Sequence, residues 1–137
     1  MTKKASPFFD TNVLIYAFAS GDARAAVAEF LLAQGGTVGV QNLNEFVSVA
    51  RRKLKMSWLE VRHALEAIQT LCPSPVPITV AVHDAAIELA ARYHFQIYDA
   101  LVIAAASSVS CSILYSEDLQ AGQTVNGVTV RNPFHKL

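Results

Sequence analysis

Short aromatic or β-branched runs alternate along this chain with longer stretches whose apolar residues recur every three or four positions. Pro7, Phe8 and Phe9 predict a short buried strand ending at Asp10. "DARAAVAEFLLAQGG" predicts a helix with Asp22 as its N-cap and Gly35 as its stop. "TVGVQ" predicts a second strand. In "NLNEFVSVARRKLK", Leu43, Phe46, Val47, Ala50 and Leu54 share one helical face. "SWLEVRHALEAIQTLC" opens on Ser57 and Glu60, a capping-box pair. "PVPIT" predicts an edge strand, and Thr79 caps the helix "VAVHDAAIELAARYH". "DALVIAAASSV" is apolar nearly all round and predicts a buried helix. "SILYS" and "VTVRN" predict the last strands.

Strands that alternate with helices predict a parallel sheet covered on both faces. Right-handed crossovers then bring strand C-termini and helix N-termini to one edge, where such folds place ligands. The 137 residues suit a single domain, 1–137, with no repeat or linker. Apolar residues make up 53%, on the high side for a small domain, which suggests a partner surface as well as a core.

Charge narrows the function. Eleven Lys and Arg balance eleven Asp and Glu, so recognition of a charged partner must be local. Cys72 and Cys111 stand in no metal or redox spacing and read as small hydrophobes in a reducing compartment. The basic start "MTKKASP" lacks the apolar run of a signal peptide, and "ALVIAAASSV" is too short to span a bilayer. The expected location is the cytoplasm.

Four carboxylates are predicted at the ligand edge: Asp10 after the first strand, Glu45 in the first turn of the next helix, Asp99 opening the buried helix, and Asp118 after "LYSE". Asp99 alone could be an N-cap, Glu45 could form a box with Asn42, and Asp118 could be a turn aspartate. Together they repel. Two unit charges about 5 Å apart cost about 3 kcal/mol at an effective dielectric of 20, against about 0.3–1 kcal/mol returned by a helix N-terminus. Either protons or a cation must compensate. An all-oxygen donor set suits Mg²⁺ or Mn²⁺, which clamp phosphate oxygens and activate water. His63, His83, His94 and His135 form no metal spacing and no triad with a serine, and His83 and His94 read as helix-surface or helix-end residues.

The basic run Arg51, Arg52, Lys53 and Lys55 closes the same helix. Arg52 lies seven residues after Glu45, two turns along the same stripe. A cationic track leading from an acidic site suits a phosphodiester substrate, with Arg51, Arg52 and Lys55 as the expected contacts to its phosphates.

"DTNVLIYAF", "NEF", "YDALVIAAA" and "LYSEDL" occur in the order and spacing of the PIN domain, and the whole chain resembles the VapC-type toxins of toxin–antitoxin pairs. The resemblance implies a three-layer α/β/α fold around a mostly parallel sheet of about five strands. It implies an endoribonuclease dependent on Mg²⁺ or Mn²⁺ that leaves a 5′-phosphate and a 3′-hydroxyl. It also implies a homodimer and an inhibiting antitoxin partner. Asp10, Glu45, Asp99 and Asp118 match the family's acidic quartet. Asp10, Asp99 and Asp118 are the implied metal ligands, and Asn12 and Ser116 match supporting positions. Glu117 is an extra ligand, faces solvent, or takes the stronger role from Asp118. An RNA-processing PIN ribonuclease without an antitoxin, and a non-catalytic PIN module, are the alternatives. A haloacid dehalogenase phosphatase needs an aspartate where Asn12 stands, and a receiver domain needs a lysine that "YSEDLQAG" lacks.

Overall fold

The computed structural model describes residues 6–136; the basic N-terminal stretch 1–5 lies outside them. Among the described residues the order is β1 (Phe8–Phe9), α1 (Thr11–Ala17), α2 (Arg24–Ala33), α3 (Val40–Arg52), α4 (Trp58–Leu71), α5 (Val80–Tyr93), α6 (Ile97–Ser108), β2 (Ile113–Tyr115), β3 (Thr124–Val125) and β4 (Val128–Arg131).

The sheet runs β1-β2-β4-β3. β1 pairs with β2 and β2 with β4 in parallel, and β3 closes an antiparallel hairpin on β4. The period-2 alternation of a strand explains the layering. Phe8 enters a core built with α5, α6 and β4, whereas the adjacent Phe9 enters the core of α1, α2, α3 and α4. Both rings are fully buried, worth about 1.5–3 kcal/mol each. Two consecutive phenylalanines thus hold the two helical layers to one strand.

Among the described residues the sheet has four strands, where about five were expected, and the membership differs. "TVGVQ" and "PVPIT" shrink to single bridges, Phe8 to Thr37 and Gly39 to Val76. Val40 and Gln41 are drawn into α3, whose N-cap is Gly39 rather than Asn42. The hairpin strand β3 was not anticipated, because two residues carry too little pattern. Nor was α1, whose apolar Val13 and Leu14 continue the run begun by β1. α2 begins after Ala23, one residue beyond the expected cap, while Asp22 Oδ1 still accepts from the Arg24 backbone N–H. The Ser57–Glu60 box, the Thr79 cap and the Gly35 stop form as expected.

Gly36 is required by close approach. A Cβ there would collide with the Phe9 ring and come within 2.8 Å of the Pro7 carbonyl. That contact seats β1 and therefore Asp10. No helix among the described residues is long and apolar enough to cross a membrane.

Candidate active site

Asp10 leaves β1 and caps α1, its Oδ1 accepting from the Thr11 backbone N–H at 2.7 Å. Its Oδ2 accepts from Ser116 Oγ at 2.8 Å, and Asn42 Nδ2 lies 3.5 Å from Oδ1. The carboxylate is buried, and every group bonded to it is a donor. Burial pushes the Asp10 carboxyl up to about 6; the bonds from Ser116 and Thr11 pull it down, and the charges of Asp118 and Glu45 push it up again.

Ser116 follows β2, directly beside β1 in the sheet. Its hydroxyl also accepts from the backbone N–H groups of Asp118 at 3.2 Å and Leu119 at 3.3 Å. One side chain therefore orients Asp10 and bends the chain that carries Asp118. Asn12 ties the same loop down. Its Oδ1 accepts from the Glu117 N–H and its Nδ2 donates to Asp118 Oδ2, both at 3.2 Å.

Glu45 sits in the second turn of α3 and is held from two sides. Thr11 Oγ1 donates to its Oε2 at 2.8 Å, and Gln41 Nε2 donates to its Oε1 at 3.0 Å. Its expected box with Asn42 does not form, since Asn42 instead accepts from the Gly39 N–H. Asp99 lies in the first turn of α6, three residues after the N-cap Gln96, so it is not itself the cap. Burial raises its carboxyl, and the charges of Asp118 and Glu45 raise it further. The four carboxylates thus share one electrostatic neighbourhood although they come from four separate parts of the chain.

Glu117 is held by two side chains of the N-terminal third of the chain. It accepts from the Tyr16 hydroxyl at 2.6 Å and pairs with Arg24 at 3.2 Å. Arg24 also binds Asp22 at 2.9 Å and lies over the Tyr16 ring. Burial, and then the bond to Glu117, push the Tyr16 phenol up to about 12. The pattern gave no hint of Arg24 or Tyr16, because their partner stands about a hundred residues away.

A groove of about 520 Å³ runs from this edge along α3, lined by Thr11, Tyr16, Glu45, Arg52, Lys53 and Asp118 among others. Arg52 thus shares the groove with Glu45, as the two-turn spacing predicts. Lys53 joins it, although it was not among the expected contacts. Arg51 is directed elsewhere: it donates to the Met56 carbonyl at 2.8 Å and stacks on Trp58. Lys55 is exposed beyond the helix end, at a positive φ of 57°.

The donor set is hard and all-oxygen, and burial together with neighbouring charge disfavours the ionised forms of Asp10 and Asp99, so its chemistry fits a divalent cation. Among the described residues, no three His, Cys, Asp or Glu side chains are gathered at metal-binding spacing. Glu45 and Asp118 are drawn instead onto Thr11, Gln41 and Asn12.

A PIN domain family model matches residues 8–124, and the chain belongs to that family. Several solved structures share the fold, among them the following two. The VapC20 toxin of Mycobacterium tuberculosis, described as cleaving the sarcin-ricin loop, superposes with a TM-score of 0.68 at 21% identity, over 88% of this chain and 98% of that one. A toxin–antitoxin complex from Klebsiella pneumoniae gives a TM-score of 0.72 at 20% identity, over 94% of this chain and 98% of that one. No curated protein matches the sequence significantly.

Proposed function

We propose that this PIN domain is a divalent-metal-dependent endoribonuclease acting as the toxin of a toxin–antitoxin pair. The observation that carries the reading is the carboxylate edge: Asp10 and Asp99 are both raised by burial and by the same two neighbours, Asp118 and Glu45. Such crowding favours a bound cation over a purely structural role.

Asp10, Asp99 and Asp118 would hold Mg²⁺ or Mn²⁺. When bound, the ion supplies charge neutralisation, polarisation of a phosphate oxygen and a more acidic water. Glu45, steered by Thr11 and Gln41, would complete the carboxylate cage around that ion and take the proton of the attacking water. Ser116 and Asn12 keep Asp10 and the Asp118 loop in register. Arg52 and Lys53 bind flanking phosphates along the groove. Water adds to phosphorus as the bond to the 3′ oxygen breaks, and that oxygen takes a proton from solvent, leaving a 5′-phosphate and a 3′-hydroxyl.

An antitoxin is the expected partner, in keeping with the Klebsiella complex, and a second copy of the chain is the other. Exposed Phe30, Trp58, Leu59, Val80 and Tyr98 leave apolar surface for such contacts. A cytoplasmic location goes with this reading.

The test is cleavage of single-stranded RNA with Mn²⁺ and with chelator, beside Asp10→Asn and Asp99→Asn. Activity is expected only in wild type with metal. Undiminished cleavage in excess chelator would overturn the mechanism.

A further inference from the structure

Two side chains outside the acidic quartet join its members. Asn42 and Thr11 are both buried, at 1% and 8% exposure, in a region where an unpaired polar group is costly. The Gly39 backbone N–H donates to Asn42 Oδ1 at 3.0 Å. A backbone N–H can only donate, so this bond fixes which end of the amide faces which way. Asn42 Nδ2 must then point at Thr11 Oγ1, 3.1 Å away, with Asp10 Oδ1 beside it at 3.5 Å. Having accepted from Asn42, Thr11 turns its single hydroxyl proton to Glu45 Oε2 at 2.8 Å. Polarity thus runs one way, from the Gly39 amide through Asn42 and Thr11 to Glu45, with a branch at Asp10.

We propose that Thr11 and Asn42 are positioning residues whose one-way hydrogen-bond relay sets the Glu45 carboxylate against Asp10, and so prepares the pair to act on one divalent cation. The inference rests on the nuclease reading above. Capping alone does not account for the relay. The Asn42–Gly39 bond serves the start of α3 without Thr11, and Asp10 caps α1 through the Thr11 backbone rather than its hydroxyl. The Thr11 hydroxyl is therefore free of any duty to the helices, and its proton is spent on Glu45. A side chain that orients metal-site carboxylates from behind commonly changes metal affinity about 10- to 100-fold when removed.

The experiment is Mn²⁺ titration by calorimetry on the full chain, with a thermal melt in chelator as the control for folding. Thr11→Val keeps the volume and drops the hydroxyl; Thr11→Ser restores the hydroxyl. Thr11→Ala, which suits a first helical position, repeats the test should valine disturb the turn. The valine and alanine variants are expected to bind Mn²⁺ about 10-fold or more weakly, and serine close to wild type. Asn42→Asp still accepts from Gly39 but has no proton to give, so it recruits the Thr11 hydroxyl away from Glu45 and is expected to resemble Thr11→Val. Wild-type Mn²⁺ affinity in folded Thr11→Val or Thr11→Ala overturns the relay and leaves the nuclease reading intact. A wild type that takes up no Mn²⁺ overturns the nuclease reading and the relay together.

Discussion

Ser116 donates to Asp10 Oδ2 at 2.8 Å across 106 residues of sequence, while its own oxygen accepts from the backbone of Asp118 and Leu119. One hydroxyl therefore serves both ends of the chain's acidic edge. Ser116→Ala strands a buried carboxylate oxygen and frees the Asp118 loop. The expected cost is about 1–3 kcal/mol in chemical denaturation, with Thr restoring most of it. The Asp10 carboxyl should also rise further, as a carboxyl-carbon NMR titration would show, since the Ser116 bond is the largest influence holding it down. A variant of unchanged stability and unchanged titration would remove Ser116 from this role.

The raised Asp10 carboxyl has a defined sign for stability. Its pKa goes from 3.8 to about 6 on folding, so the native state binds the proton more tightly. Its contribution is fully present below about pH 4 and is lost as pH rises through about 6, on the order of 2–3 kcal/mol. In chelator, wild-type stability relative to Asp10→Asn should fall across that window. Because every group bonded to Asp10 is a donor, an asparagine amide also meets donors on both sides, so the pH slope is the informative quantity rather than the melting point at one pH. Parallel pH profiles for the two proteins would mean that Asp10 does not titrate there.

Arg51 and Arg52 are neighbours in sequence with opposite surroundings. Arg52 faces the groove with Glu45, so Arg52→Ala should flatten the dependence of log K on log salt for single-stranded RNA by about 0.7. Arg51 stacks on Trp58 and ties down the Met56 carbonyl. Arg51→Ala should leave the slope alone and cost about 0.5–1 kcal/mol of stability. Filter-binding at several salt concentrations and urea melts separate the two, and an effect of Arg51 on the slope would place the RNA path elsewhere.

Gly36→Ala should destabilise by about 1–3 kcal/mol, because the added methyl meets the Phe9 ring and the Pro7 carbonyl. It should also disturb Asp10, one residue beyond Phe9, so native-state hydrogen exchange at β1 should quicken. Wild-type stability would show that β1 can shift without penalty.

Much of the helical scaffold was legible from pattern, because a period of three to four residues over ten or more positions is a strong local signal. Ser57 with Glu60, Thr79, and the Leu43/Phe46/Ala50 face all act within one or two turns of themselves. For the carboxylates, connection order in a parallel sheet was enough to expect Asp118 and Glu45 near Asp10 and Asp99, and their charges do act on both. Short strands were less legible. "TVGVQ" has β-branched residues, yet the sheet takes only a bridge at Thr37, and α3 claims Val40 and Gln41. Only the tertiary structure decided the side-chain partners. Glu117 finds Tyr16 and Arg24, Ser116 finds Asp10, and Thr11 finds Glu45, at separations of 34 to 106 residues. A hydrogen bond is directional and satisfied within about 3 Å, so it leaves no periodic trace in the sequence, whereas apolar burial is non-directional and repeats with every turn of helix.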